Sequence, residues 1–212
     1  MLRVKICGIT QAEDARAAAA AGADAIGLVF HPSSPRAVTR GAARTIAAAL
    51  PPWVARVGVF VDADPVEVRC TVEDVGLTAV QLHGDETAAY IDRLGLRIPV
   101  IKAIAMKDGW ERVAECFAHV PILLDHARPD APGGTGRAWN YARFHRSLRP
   151  SWFILAGGLD AANVANAVER LRPDAVDVST GVESAPGIKD QRKIADFMRA
   201  VEPFRAEAKG RA

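Results

Sequence analysis

The stretch ADAIGL at residues 23–28 points to the fold, because its pattern returns twice along the chain. It recurs as LTAVQL at residues 77–82 and as PDAVDV at residues 173–178. Each copy leads into a short apolar run rich in β-branched residues, a composition typical of a buried strand. The recurrence indicates quasi-repeating units of one strand and one helix.

Eight strand-like runs of this kind alternate with longer helical patterns, which indicates a parallel sheet built from β-α units. Dividing 212 residues by eight gives about 26 per unit, enough for a strand, a helix and two tight loops. An open doubly wound sheet, the alternative, more often stops at about five or six strands. We therefore predict an α/β fold, a single-domain (β/α)8 TIM barrel over residues 1–212, with a frayed polar tail at 202–212. The predicted strands are Leu2–Cys7, Ala25–Phe30, Ala55–Val61, Ala79–Leu82, Val100–Ala103, Ile122–Asp125, Phe153–Ala156 and Ala175–Val178.

Helix-start signals fall where this register expects them. Thr10 and Glu13 have the spacing of a capping box ahead of an alanine-rich helix that ends at Gly22. Asp64 and Pro65 supply a predicted cap and first-turn proline for the third helix.

The composition argues against several classes of partner. Half of the residues are hydrophobic, and 27 basic residues are scattered among 25 acidic ones, so we expect neither nucleic-acid nor membrane binding. Three cysteines without a C-x-x-C pair suggest no disulfide framework and fit a reducing cytoplasm. No leader or membrane-spanning segment is predicted. The five histidines lack H-x-x-x-H or H-E-x-x-H spacing, so no catalytic metal is expected.

Chemically useful residues follow the predicted strands, at the end of a barrel where active sites lie. Glycines after the last two strands allow backbone N–H groups to approach an anion, which predicts a phosphate cradle. The strand-end residues are Cys7, the segment 31–36, His83, Asp125, Gly157, Gly158, Ser179, Thr180 and Gly181.

Several longer motifs contain or flank these strand ends. They are KICGIT at 5–10, GLVFHPSSPR at 27–36, QLHGDE at 81–86, LLD at 123–125, GGTG at 133–136, AGGL at 156–159 with Asn163, DVSTGVE at 177–183 and PGIKD at 186–190. Together these motifs resemble the phosphoribosylanthranilate isomerase family of tryptophan biosynthesis. The resemblance implies a TIM barrel that converts N-(5-phosphoribosyl)anthranilate into 1-(2-carboxyphenylamino)-1-deoxyribulose 5-phosphate, with no cofactor and no metal.

By that resemblance Cys7 is the general base and Asp125 the general acid. A thiol with an ordinary pKa of about 8.5 needs a modest lowering to act as a base near neutral pH. An aspartate of ordinary pKa about 3.9 needs the opposite shift to remain protonated. Taken alone, Cys7 could equally be a small core residue and Asp125 a loop cap.

The resemblance also assigns binding roles. Arg36 matches the position that holds the anthranilate carboxylate, for which a guanidinium is well shaped. His83 is expected to line the pocket or to hydrogen-bond a residue behind it. The segment His126–Trp139, with Gly134 and Thr135, is predicted to be a lid that closes over the substrate, with simple disorder as the alternative.

The sequence departs from the family pattern at three places, which bears on substrate range. His126 replaces a small residue after the acid, Trp139-Asn140-Tyr141 varies a typical aromatic-acid-aromatic run, and Thr180 stands where a second serine is commoner.

Other functions stay open at this point. The related isomerase of histidine biosynthesis, or a bifunctional barrel, is the second enzyme hypothesis, although it expects carboxylates at both catalytic strand ends. A barrel that binds a phosphorylated ligand without turnover is a third. The sequence does not choose between a monomer and a homodimer.

Overall fold

Eight parallel strands close into a barrel in the computed structural model, which describes residues 1–125, 150 and 152–206. Each strand pairs with its sequence neighbour, and β1 closes the ring against β8. The predicted (β/α)8 TIM barrel is thus confirmed. The strands are β1 (Arg3–Ile6), β2 (Ala25–Val29), β3 (Ala55–Phe60), β4 (Ala79–Leu82), β5 (Val100–Ala105), β6 (Ile122–Asp125), β7 (Phe153–Ala156) and β8 (Ala175–Val178).

Helices cover the outside of the barrel with their apolar faces inward. In α6 the buried residues Val164, Ala167, Val168 and Leu171 recur at the three- and four-residue spacing of one helix face. Such helix residues pack against the outward-facing side chains of the strands and form the larger of two apolar clusters, outside the barrel wall. The described helices are α1 (Ala12–Ala20), α2 (Arg40–Ala48), α3 (Pro65–Val75), α4 (Ala88–Leu94), α5 (Trp110–Glu115), α6 (Val164–Leu171) and α7 (Gln191–Ala206).

The strand predictions hold to within two residues at each end, whereas one predicted helix cap is wrong. The helix α1 starts after Gln11, which makes no side-chain cap hydrogen bond. The Thr10 hydroxyl donates instead to the carbonyl oxygen of Gly187, so a long-range contact replaces the local capping box. The cap at Asp64 is confirmed, since its side chain accepts from the backbone N–H of Val66.

The barrel interior changes from apolar to polar along the strands. Side chains two residues apart on a strand face the same side, so each strand contributes a column to the interior. On β4 the inward column runs from Ala79 to Gln81 and on to His83, and on β8 it runs from Ala175 to Asp177. The lower end of the barrel, toward the amino termini of the strands, is therefore filled with apolar side chains. The upper end, at the carboxyl termini of the strands, carries the polar side chains. The buried apolar interior consists of Val57, Ala79, Ile101, Ala103, Leu123, Ile154, Ala156 and Ala175.

Two features follow β8 that the sequence did not predict. A two-stranded antiparallel hairpin forms from β9 (Glu183–Ala185) and β10 (Ile188–Lys189). The helix α7 then continues to Ala206, so the expected fraying from residue 202 is wrong for the described part of the tail. Arg205 ties this end to the barrel base through Asp24, at 2.6 Å.

Among the described residues, no helix combines the length and the apolar character needed to cross a bilayer.

Candidate active site

Three non-adjacent segments meet beside Cys7 at the upper rim. The Cys7 backbone N–H donates to Val178 at 2.8 Å, and Gly8 donates to Gly27 at 3.0 Å. A Cβ built on Gly8 would lie 2.5 Å from Cδ of Arg36 and 3.1 Å from Oγ of Ser179. The chain therefore needs glycine here, also because φ is +73°. The predicted site residues Cys7, Arg36 and Ser179 are brought together.

His83 and Asp125 form a second group on the same rim. The His83 Nε2 atom lies 3.3 Å from Asp125 Oδ2, and both side chains are about one-third exposed (36% and 32%). On its other side, His83 Nδ1 is 3.0 Å from the amide nitrogen of the buried Gln81. An amide nitrogen only donates, so Nδ1 accepts, and Nε2 carries the ring proton on the side that faces Asp125. His83 thus lies directly beside the predicted acid.

Burial raises the pKa of the Cys7 thiol, which is the reverse of the lowering that the sequence predicted. The prediction was wrong because burial opposes the thiolate, and that cost depends on the folded surroundings rather than on the local sequence. The positive charge of Lys5 acts against burial, because it favours the thiolate more than any other charge around Cys7 does.

Lys5 is itself buried inside the barrel below Cys7. Its ammonium lies 2.9 Å from Oδ1 of Asp177, and the two side chains are 6% and 8% exposed. Burial would lower the pKa of Lys5, but attraction to Asp177 and to Cys7 outweighs burial and raises it. The ammonium is therefore held in its charged form next to the thiol.

The hairpin β9–β10 supplies a carboxylate that organises the cationic side of the site. Glu183 accepts from Nε and Nη2 of Arg36, at 2.8 and 2.7 Å, and from Nζ of Lys189 at 2.7 Å. Burial opposes the ionised form, but these hydrogen bonds outweigh it and hold the pKa of Glu183 below its ordinary value. Sequence reasoning placed Glu183 within a family motif and gave it no role, because its partner Arg36 lies 147 positions away.

The predicted phosphate loops pack against each other at the ends of β7 and β8. Gly157 and Gly158 have φ of +87° and +65°, values that side-chain-bearing residues rarely adopt. A Cβ on Gly181 would lie 2.0 Å from the carbonyl oxygen of Leu159, so only glycine allows this approach of the two backbones. Ser179 and Thr180 lead into the same turn and are half-buried.

A cavity of about 780 Å³ opens beside this rim, a size that suits a small organic ligand. It begins at His83 and Asp125 and extends outward between α4 and α5 toward Trp110 and Phe117, away from Cys7. The converging strand-end side chains, rather than the bulk of this cavity, form the candidate reaction centre.

The predicted lid His126–Trp139, including Gly134 and Thr135, lies outside the described residues. Within the described residues no three His, Cys, Asp or Glu side chains converge as a metal site. The expectation of a metal-free reaction stays a prediction.

Comparisons with known proteins agree with this geometry. The family model described as N-(5'phosphoribosyl)anthranilate (PRA) isomerase matches residues 4–200. The chain belongs to this family. It is 51% identical over 203 residues to the N-(5'-phosphoribosyl)anthranilate isomerase of Pseudomonas syringae pv. tomato, covering 94% of this chain and 97% of the relative.

Solved structures of family members share the whole barrel. The phosphoribosyl anthranilate isomerase of Thermotoga maritima superposes with a TM-score of 0.90 at 41% identity, covering 96% of this chain and 100% of the other. A second structure holds reduced 1-(o-carboxyphenylamino)-1-deoxyribulose 5-phosphate, with a TM-score of 0.83 at 39% identity and the same coverage. The family resemblance read from the motifs is confirmed, and the chain is an isomerase.

Proposed function

We propose that this chain catalyses the Amadori rearrangement of N-(5-phosphoribosyl)anthranilate to 1-(2-carboxyphenylamino)-1-deoxyribulose 5-phosphate, with Cys7 as general base and Asp125 as general acid. The observation that carries the proposal is the placement of a thiol and a carboxyl on one barrel rim, at the ends of β1 and β6. The relative solved with a reduced carboxyphenylamino-deoxyribulose phosphate supports the ligand class.

The reaction needs one acid and one base. Protonation of the ribose ring oxygen by Asp125 opens the ring, as the anthranilate nitrogen lone pair forms an iminium. Cys7 then takes the proton from C2, the C2–H electron pair forms the enolamine double bond, and the iminium nitrogen becomes neutral. Tautomerisation gives the ketose.

Asp125 must carry its proton at the start. His83 lies 3.3 Å from Oδ2 of Asp125, and its proposed role is to hold that oxygen while the other oxygen faces the substrate.

Arg36 is well placed for the anthranilate carboxylate. Glu183 occupies the guanidinium edge formed by Nε and Nη2, which leaves Nη1 and the second Nη2 hydrogen as a fork for another carboxylate. Glu183 therefore orients Arg36 without consuming both of its recognition edges.

The phosphate is assigned to the loops after β7 and β8, whose glycines let two backbones come together. Gly157, Gly158, Ser179, Thr180 and Gly181 are the proposed contacts. Gly134 and Thr135 are proposed to close over the sugar. The cytoplasmic location, and the choice between monomer and homodimer, stay predictions.

The test is the loss of substrate fluorescence when purified protein is added to phosphoribosylanthranilate. Cys7→Ala and Asp125→Asn should each lower kcat by at least about 100-fold while the far-ultraviolet circular dichroism stays unchanged. Cys70→Ala, which alters an exposed cysteine, is the matched control and should keep the wild-type rate.

An active Cys7→Ala would remove the thiol from the mechanism. A wild-type protein that binds the compound without turning it over would instead redirect the search to the histidine-pathway substrate.

A further inference from the structure

Lys5 is a buried charge that the fold alone does not explain. Its ammonium and its partner Asp177 lie in the barrel interior, directly above a layer made of apolar side chains. Removing two charges from water is costly, and apolar residues of similar volume would often stabilise the fold as well or better. A charged pair in such a place is therefore a candidate for a functional role in the site above it.

Gly27 shows how close the ammonium comes to the thiol. A Cβ built on Gly27 would lie 2.6 Å from Sγ of Cys7 and 3.1 Å from Nζ of Lys5. Both groups therefore lie beside the Cβ position that Gly27 leaves empty, which makes the ammonium and the sulfur close neighbours. The missing side chain at Gly27 is what makes room for both.

Other charges face Cys7, but each is committed elsewhere. Arg36, from the loop after β2, and Lys189, from β10, are both bound to the carboxylate of Glu183. On the interior side Asp177 faces Lys5 and opposes the thiolate. Asp125 and His83, from β6 and the end of β4, act on Asp177.

We propose that Lys5 is a positioning residue that supplies the counter-charge for the thiolate of Cys7, with Asp177 anchoring its ammonium inside the barrel. The proposal rests on the role of Cys7 as base. Burial disfavours the thiolate, which is the form of Cys7 that abstracts the proton. The positive charge of Lys5 offsets this effect of burial.

The experiment measures the pH dependence of Cys7 alkylation by iodoacetamide, followed residue by residue with mass spectrometry. Lys5→Met, which keeps the length and removes the charge, should move the pH midpoint of Cys7 alkylation upward by about one unit or more. Cys70 and Cys116 are exposed and serve as internal controls whose profiles should not move. A midpoint unchanged in Lys5→Met overturns the proposal.

A second variant covers the case in which Lys5→Met does not fold because Asp177 is left unpaired. Lys5→Met/Asp177→Asn removes both charges, and its midpoint should lie above wild type but below the single variant, since the opposing carboxylate is gone as well. A wild-type midpoint in a folded double variant overturns the proposal.

The alkylation result is independent of turnover. If Cys7→Ala were active while Lys5→Met shifted the midpoint, Cys7 would not be the base, but the effect of the Lys5 charge on the Cys7 thiol would be confirmed. If Cys7→Ala were inactive while the midpoint stayed fixed, only the role of Lys5 would fall.

Discussion

Two buried lysine–carboxylate pairs in this barrel are alike in chemistry and different in surroundings. Lys5 and Asp177 lie 2.9 Å apart inside the barrel, and Lys102 and Glu86 lie 2.7 Å apart on its outer wall. All four side chains are at most 8% exposed. The two pairs therefore share the same desolvation cost, and their neighbours must explain why each is kept.

The outer pair is tied to the backbone. Glu86 accepts from the N–H groups of Asp62 and Gly84, and Lys102 donates to the carbonyl of Gly84 at 2.6 Å. The inner pair borders the Cys7 thiol instead. The outer pair therefore fixes the loops after β3 and β4, whereas the proposed role of the inner pair lies in the reaction.

The largest effect is expected from breaking the outer pair. Glu86→Ala leaves a buried ammonium and two backbone donors without their acceptor, which should lower the free energy of unfolding by about 3–5 kcal/mol. Urea denaturation followed by circular dichroism measures this. Glu86→Gln keeps an acceptor and should lose less, and a loss under about 1 kcal/mol for Glu86→Ala would erase the contrast between the pairs.

The inner pair should show the opposite balance. Lys5→Met/Asp177→Asn should stay within about 2 kcal/mol of wild-type stability, because no buried charge is left alone. Its kcat at neutral pH should fall severalfold, and by less than in Lys5→Met, since a rise of one unit in the thiol pKa reduces the thiolate fraction about tenfold, and the rate should recover as pH rises. A pH-independent loss would mean that the variant damages packing instead.

Glu183 is a third buried carboxylate, and it binds both Arg36 at the site and Lys189 in the hairpin. Glu183→Gln should raise KM by roughly tenfold through a less well oriented Arg36, with a smaller change in kcat. Steady-state kinetics separates the two. Asp196→Asn, which removes the exposed partner of Arg199, is the matched control and should leave KM unchanged.

The smallest effect is expected at the barrel base, far from the rim. Burial opposes the ionised form of Asp24, but hydrogen bonds from Arg3, the Val4 N–H and Arg205 lower its pKa below the ordinary value. A lowered folded-state pKa stabilises the protein above the unfolded value of about 3.9, and this contribution is lost as pH falls through the folded value.

Asp24→Asn should therefore cost about 1–2 kcal/mol at pH 7 and progressively less in acid. Thermal unfolding at several pH values checks this. A difference from wild type that grew on acidification would contradict the sign.

The strands and the rim residues were readable from the sequence for a physical reason. Parallel strands buried on both faces must be short apolar runs, and catalytic groups follow directly where such strands end. The positions of Cys7 and Asp125 at strand ends could therefore be predicted from the sequence pattern alone, without knowledge of tertiary contacts.

The remaining features depend on contacts between distant residues. Lys5 looks like any polar residue in a strand until Asp177, 172 positions away, is brought against it. The strands of the hairpin β9–β10 are too short to show a recognisable sequence pattern. The Thr10 hydroxyl donates to the distant carbonyl of Gly187 instead of capping the helix that follows it. The pKa direction at Cys7 was likewise wrong because desolvation exists only in the folded barrel.

Closure of the ring by β1 and β8 has a consequence for biosynthesis on the ribosome. Cys7 hydrogen-bonds to Val178, and the Cys7 counter-ion pair also joins these two strands. A nascent chain that has emerged only as far as β7 lacks half of this arrangement, however well its earlier units have folded. Appearance of enzymatic turnover during translation would thus report the moment at which the last strand docks on the first.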